Sequence, residues 1–473
     1  MPNIYIAEID TSTPGVEDVT TNAVYIPGLA KSINADLNTD EYFQKPVYFE
    51  TLADFRAVFG NEPYVFGENV TYGDIFTEPA DSDSADYELY NEIKSSMFIT
   101  ANSPDKSYIM ASELLAAGLP VYYECMGTPS TGHKAVAIVN NIYDQIYRRF
   151  DYSDKKNILI DKGETVFKFL TTGGYPVFSG NIALTSAGTG LTLRQVQFAA
   201  SRGDLIAIVD YFDFYNGDYD TLHSVLNALT QPGSNDINDD ETAENIWSYG
   251  AMFAPYSVYN FVNTSWKTSA DSVETTHTQY VMPASYGYLI TFAASSKNNP
   301  NWYAAAGASR GAVANFVAPV TGASLTSIEA NEYQKRNEGS SINSIVNIKP
   351  YGYLLWGNRT LKNNLNKREL TATSFLNIRH LSNDVKRQVF VTARKLTFEP
   401  NSDILWINFK SNIIPLLDQM VTGNGITGYQ FIRQATTKKA TLKAKIVLEC
   451  IEAVEDFDIT IELTDAAVAV TEG

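Results

Sequence analysis

Three groups of residues hold the side chains that chemistry would need. Gly423, Gly425 and Gly428 spell G-x-G-x-x-G, the spacing with which a strand-to-helix turn presents backbone N–H groups to a dinucleotide pyrophosphate. Here the helical pattern LLDQMVT precedes the triplet and the strand pattern GYQFIRQ follows it. That order is the reverse of the required one, so the glycines read as a helix-terminating turn. The four histidines, His133, His223, His277 and His380, are far apart and form no H-x-x-x-H or H-x-x-E pair, so they do not read as a metal site. Asp210, Asp213, Asp218 and Asp220 crowd the stretch DYFDFYNGDYD as the ligands of a calcium loop would, but the loop's central glycine and closing glutamate are not at their places. Asp81, Asp83 and Asp86 fail for want of the glycine. No G-x-S-x-G or G-x-x-x-x-G-K-[ST] occurs, and Cys125 and Cys450 lie in apolar runs that predict buried free thiols. The expectation is a protein without catalytic, metal or cofactor residues.

Composition narrows the class. At roughly 150 residues per domain, 473 residues make two to four domains. Hydrophobic residues at 44 % and aromatics at 12 % exclude a disordered chain. The formal charge of -19 is unevenly spread: residues 1 to 334 carry 17 bases against 40 acids, residues 335 to 446 carry 18 against 6, and residues 447 to 473 carry 8 acids and no base. Such a total opposes nucleic-acid binding, while the basic block suits an acidic protein surface. The start, MPNIYIAEID, lacks the basic and long apolar regions of a signal peptide. Residues 245 to 328 hold only five charged residues, interrupted by Asn, Ser, Thr, Tyr and Pro, which predicts a packed neutral region in contact with other protein rather than a membrane span.

The elements that must position these residues follow an α/β pattern. NIYIAEI alternates like a strand and gives way to the turn-rich DTSTPGVEDVTT, so residues 1 to 20 read as an arm and linker. Strands are expected at NAVYIPG, KPVYFET and PVYYECM. Helices are expected after Thr51, whose hydroxyl and Asp54 resemble a capping box, over SYIMASELLAAGLP, and over KAVAIVNNIYDQIYRRF. NILI and VFKFL suggest further strands, LTLRQVQFAASRG a helix, and DLIAIVDYFD a buried strand. Within residues 60 to 106, the polar acidic stretch EPADSDSADYE reads as a surface excursion. Near the C-terminus, helices over 382 to 396 and 404 to 420 precede three strand patterns, GYQFIRQ, ATLKAKIVLEC and DFDITIEL. The first of these helices places Val385, Val389 and Leu396 on one side and Arg387, Arg394 and Lys395 on the other, with Phe390 interrupting the basic side as in an interface.

In order and content, these segments resemble the contractile tail sheath proteins of phages and related injection machines. TNAVYIPGLAKS with KPVYFETLADFRAVFG resembles the start of the sheath core. INSIV, GYLLWGNRTL and FEPNSDILWINF are the most specific matches, and most of the chain is covered outside roughly 60 to 100 and 127 to 195. The resemblance implies an α/β subunit, α+β overall, with a mixed-sheet core, inserted outer domains and extended terminal arms. Its divisions would be an arm at 1–20, core at 21–126, an outer domain at 127–200, a middle domain of subtilisin-like topology without catalysis at 201–358, a C-terminal domain at 359–463 and an arm at 464–473.

The resemblance further implies stacked hexameric rings around a tail tube, contraction that drives the tube through a host envelope, and partners limited to copies of itself, tube, baseplate and terminator proteins. It implies neither nucleic-acid binding nor membrane insertion, and places the protein in the virion tail after assembly in the host cytoplasm. Asn3, Ile4, Tyr5, Ile6, Ala7, Glu8 and Ile9 would form the intersubunit arm strand. Leu442, Ala444, Ile446, Ile459 and Ile461 would lie on the receiving strands. Lys386, Arg387, Phe390, Arg394 and Lys395 would meet the tube or a neighbour. A different self-assembling virion or secretion-system component is the nearest alternative; a secreted glycan-binding or hydrolytic protein is a more distant one.

Overall fold

The computed structural model describes residues 22–75, 97–129, 134–175, 191–210, 246–270, 273–320, 342–362, 371–435 and 440–452, with scattered positions between 78 and 95. Its centre is an eight-stranded sheet made by β1 (Val24–Leu29), β2 (Val47–Phe49), β5 (Val121–Gly127), β6 (Phe169–Leu170), β7 (Ile206–Asp210), β8 (Gly250–Ala254), β14 (Ile342–Ile348) and β15 (Gly352–Trp356). The order across the sheet is β15-β14-β8-β7-β6-β1-β5-β2. Six central strands run parallel, and β2 and β15 close the edges antiparallel. The strands are short and apolar on both faces, as burial beneath two helical layers demands.

Alternation decides which layer each side chain meets. Val24, Ile26, Ile206 and Ile208 enter one core with α1 (Leu52–Phe59), α2 (Lys106–Ala116) and α5 (Ala284–Ser296). Tyr25, Ala207 and Val209 enter the opposite core with α3 (Ala135–Arg149) and α4 (Leu191–Arg202). The Thr51 cap forms as the sequence suggests, its Oγ1 accepting the Asp54 N–H at 3.2 Å and donating to the Asp54 carboxylate at 2.7 Å. Gly118 ends the turn after α2 at φ +85.

Several local expectations change. NILI is a 3-10 turn, Ile158–Ile160, because the Asn157 side chain accepts the Leu159 N–H at 3.1 Å and caps it. On either side of the acidic EPADSDSADYE, β3 (Val70–Thr71) pairs with β4 (Met97–Ile99), and Phe66, Tyr72, Ile75 and Phe98 are buried beside Tyr143 and Ile146 of α3. Within the neutral region, α5 is buried along almost its whole length and has no side that water must solvate. Around α5 lie β9 (Ser257–Asn260), β10 (Trp266–Ala270), β11 (Val273–His277), β12 (Gln279–Met282) and β13 (Phe316–Pro319), paired in two small sheets, β10-β11 and β12-β9-β13.

A third core joins α6 (Leu376–Lys395), α7 (Asp403–Thr422), β16 (Ile426–Gln434) and β17 (Lys443–Cys450) around Leu381, Val385, Phe409, Ile413, Leu417 and Met420. Both helices are longer than their sequence patterns indicate. α6 begins at Leu376 because its first turn is buried against the main core, where apolar periodicity is no guide to a helix end.

Helix α6 docks across the N-terminal ends of β6, β7 and β8 through polar groups. Arg379 donates to the Ser248 carbonyl at 3.1 Å, Asn383 to the Leu205 carbonyl at 3.0 Å, and Arg387 to the Phe167 carbonyl at 3.2 Å. Lys168 pairs with Asp384 at 2.7 Å, and Asp204 holds both Arg387 and Arg202, the latter at 2.9 Å. Arg202 is fully buried and Arg387 and Asp204 nearly so, so each guanidinium depends on the one carboxylate. Replacing Asp204 by Ala strands two buried cations and should cost about 3–5 kcal/mol of stability by urea denaturation; a loss within about 0.5 kcal/mol, as at ordinary surface sites, would refute this account.

Candidate assembly site

The crevice in which a parallel α/β sheet usually binds ligands lies where neighbouring strands connect in opposite directions, here at the C-terminal ends of β1 and β6. In this chain it is filled from within. Asp105, the N-cap of α2, accepts the Tyr108 N–H at 3.0 Å, the Leu29 N–H at 3.4 Å, the Tyr175 hydroxyl at 2.6 Å and the Ser107 hydroxyl. Gly28 lets Ser107 approach so closely that a Cβ would sit 1.7 Å from its Oγ, and Gly173, at φ +70, leaves no room for a Cβ against the Pro27 carbonyl. A void of about 20 Å³ remains beside Asp105 and Lys106.

At the end of β7, Asp210 accepts the Ser285 hydroxyl at 2.7 Å and the Ser285 N–H at 3.3 Å. Burial pushes its carboxyl up to about 7 despite these bonds, and burial lowers the nearby Lys106 ammonium to about 8. Asp213, Asp218 and Asp220 lie outside the described residues, as do Asp81 and Asp86. Among the described residues no group of three or more His, Cys, Asp or Glu is placed to hold a metal ion.

The remaining chemistry-bearing residues serve packing. His380 is buried, its Nε2 2.8 Å from the Tyr288 hydroxyl and its ring stacked on Phe292, and burial holds its pKa well below the usual histidine value. His277 stacks on Trp266 and bonds Thr268 at 2.7 Å. His133 and His223 lie outside the described residues. Cys125 is a buried thiol raised to about 12 by burial; Cys450, expected to be buried, is partly buried against the edge of the third core. Gly423 caps α7 and β16 follows, as the reversed motif order requires.

The surface that remains available belongs to the C-terminal module. β16 and β17 form an antiparallel ribbon with Phe431 opposite Ile446 and Tyr429 opposite Leu448. One face, with Tyr429, Phe431, Leu442, Ala444 and Ile446, packs on α6 and α7, while Gln430, Ile432, Lys443 and Lys445 are exposed on the other. Among the described residues neither strand pairs with a third. The ribbon therefore offers main-chain donors and acceptors along its edges, the groups through which an added strand binds. Beside β17, a notch of about 450 Å³ opens between Leu396, Leu405, Phe409 and Leu442, with Phe398 fully exposed at its rim.

Comparison with solved structures places this arrangement. A chain of the PVC sheath complex of an extracellular contractile injection system, in the contracted state, superposes with a TM-score of 0.53 at 15% identity, covering 98% of each chain. A chain of the anti-feeding prophage baseplate in the contracted state gives 0.52 at 15% identity, covering 97% of each. The chain has the fold of a contractile-sheath subunit. No family model matches the sequence, and no curated protein matches it. The sheath fold thus extends through both the α/β core and the ribbon module.

Within this sheath fold, the five residues expected at the tube or a neighbour divide. Arg387 is turned inward to Asp204, contrary to its place on an exposed basic side; the helix presents that side to the sheet end, where carbonyls and carboxylates need donors. Lys386 reaches the Tyr249 hydroxyl, Phe390 lies 5.8 Å from the Lys162 ammonium, and Arg394 lies against Gly163. Lys386, Arg394 and Lys395 retain exposed side chains. Residues 3 to 9, Ile459 and Ile461 lie outside the described residues, as does the pattern DFDITIEL. Sequence reading missed Asp105 and Asp204, each a lone acid beside an element boundary; the Arg202-Gly203-Asp204 step between helix and strand is the available signal.

The Asp210 shift has a sign that can be checked. Between about pH 4 and 7 the unfolded chain has released this proton while the folded chain retains it, so this group's contribution to stability falls as pH rises. In D210N that contribution vanishes, and denaturation midpoints should fall less over this window than in the wild type. Parallel profiles would show that Asp210 titrates normally.

Proposed function

We propose that this chain is a structural subunit of a contractile sheath, polymerising as hexameric rings stacked helically around a tail tube and contracting to drive the tube through a host envelope. The observation that carries the reading is the end-to-end match with a chain of a sheath complex in the contracted state, over 98% of both chains. An accidental likeness of α/β cores would not extend through the ribbon module. A sheath needs subunits with two packings and links that survive the change between them. The ribbon edges suit such a link: residues 3 to 9 alternate as a strand should, and strand addition holds through main-chain bonds while a linker supplies slack.

In this reading Leu442, Ala444 and Ile446 brace the receiving ribbon from its core side, with Ile459 and Ile461 on a further strand. Lys386, Phe390, Arg394 and Lys395 mark the end of α6 that faces tube or neighbour. The subunit works without catalysis or cofactor, its other partners are baseplate and terminator proteins, and its place is the tail of the assembled particle.

Electron microscopy of the purified protein should show hollow, striated helical polymers. Closed shells, smooth narrow tubes or lasting monomers would favour a different assembly component. Removing residues 1 to 20 should leave a monomer with unchanged circular dichroism and abolish polymers; normal polymers from the truncated chain would eliminate the arm.

A further inference from the structure

A cleft of about 570 Å³ lies at the junction of the two modules, between the end of α5, α6 and α7. That is the size range of specific binding clefts. It contains Asn22, the first described residue. Asn22 and Asn301 exchange amide hydrogen bonds in both directions, at 3.1 and 3.0 Å, so the point where the preceding chain enters is pinned to the cleft wall. Asn301 also lies 3.5 Å from Asp384, which ties this pin to the α6 seam.

The lining fits an extended peptide. Asn298 and Gln419 offer amide side chains, which can both donate to and accept from a main chain, while Asn299 and Gln388 donate to the Ser295 and Asn412 carbonyls and keep an amide oxygen as acceptor. Pro415, Leu416 and the edge of Trp302 supply apolar surface beside them. The charges are also matched: Asp384 is neutralised by Lys168, whereas Lys297 is exposed and, among the described residues, has no ion-pair partner.

We propose that this cleft seats the chain's own linker, residues 11 to 21, with Val16 and Val19 against its apolar side and Glu17 or Asp18 facing Lys297. The linker sequence, TSTPGVEDVTT, has two acids and no base, and continues directly from the pinned Asn22. Eleven residues reach at most about 36–40 Å, so tethering concentrates the segment at this cleft above any other. The seat fixes the direction in which the arm leaves the subunit. It rests on the sheath reading for that purpose, but the docking itself does not require polymer.

The test is zero-length carbodiimide coupling of the full-length monomer, mixed from light and heavy isotope-labelled chains and read by mass spectrometry. Lys297 should couple to Glu17 or Asp18 within single chains, about tenfold more than the exposed Lys155 does, as the local concentration of a tethered partner predicts. K297Q, altered only at an exposed side chain, should lose the product. Yields equal to those of Lys155 would overturn the proposal, and mixed-isotope products would overturn it in favour of a second copy in the cleft. A chain that couples as expected yet forms no polymer keeps the seat and refutes the sheath reading; striated polymers without the coupling do the reverse.

Discussion

The docking of α6 across the open end of the parallel sheet is the constraint on which the two modules depend. The segments entering β6, β7 and β8 turn the carbonyls of Phe167, Leu205 and Ser248 toward α6, and burying these without partners would cost a few kcal/mol each. Arg379, Asn383 and Arg387, spaced by four along α6, supply the donors. Two ion pairs cross the seam in opposite senses: Asp204, before β7, holds Arg387 of α6, and Asp384 of α6 holds Lys168. Because a buried charge without its partner is costly, the seam tolerates few alternative orientations. A greasy seam could slide; a paired one holds a register.

The same helix whose inner stripe grips the sheet contributes its other side to the third core, against α7 and the ribbon. The ribbon is thereby joined to the α/β core through α6. At the opposite end of the sheet, the crevice that enzymes of this architecture leave open is occupied by Asp105, Ser107, Tyr123 and Tyr175, bonded to one another. Polar groups there are spent on internal bonds.

The basic block from 335 to 446 takes on a double meaning. Part of its charge is consumed inside the chain by Asp204, by Ser248 and by the strand carbonyls, so a count of bases overstates the surface field. Five of its bases, Lys386, Arg394, Lys395, Lys443 and Lys445, are exposed on the C-terminal module. Arginine placed by helical spacing can face either solvent or a carbonyl-lined edge, and only its neighbours in space decide which.

The sequence alone determined the elements whose periodicity is strong. Alternation at NAVYIPG and DLIAIVD, the Thr51 cap, the Gly118 stop and the amphipathic run of α3 are local features, set by side-chain spacing and turn chemistry within a few residues. The reversed order around Gly423 likewise excluded a dinucleotide loop without coordinates. Tertiary structure decided what depends on long-range partners: that Tyr72 and Phe98 are core, that Arg387 points inward and that Asn22 meets Asn301. These contacts join residues far apart in the chain, up to 279 positions, a separation over which periodicity carries no information, so burial and pairing had to be read from the folded chain.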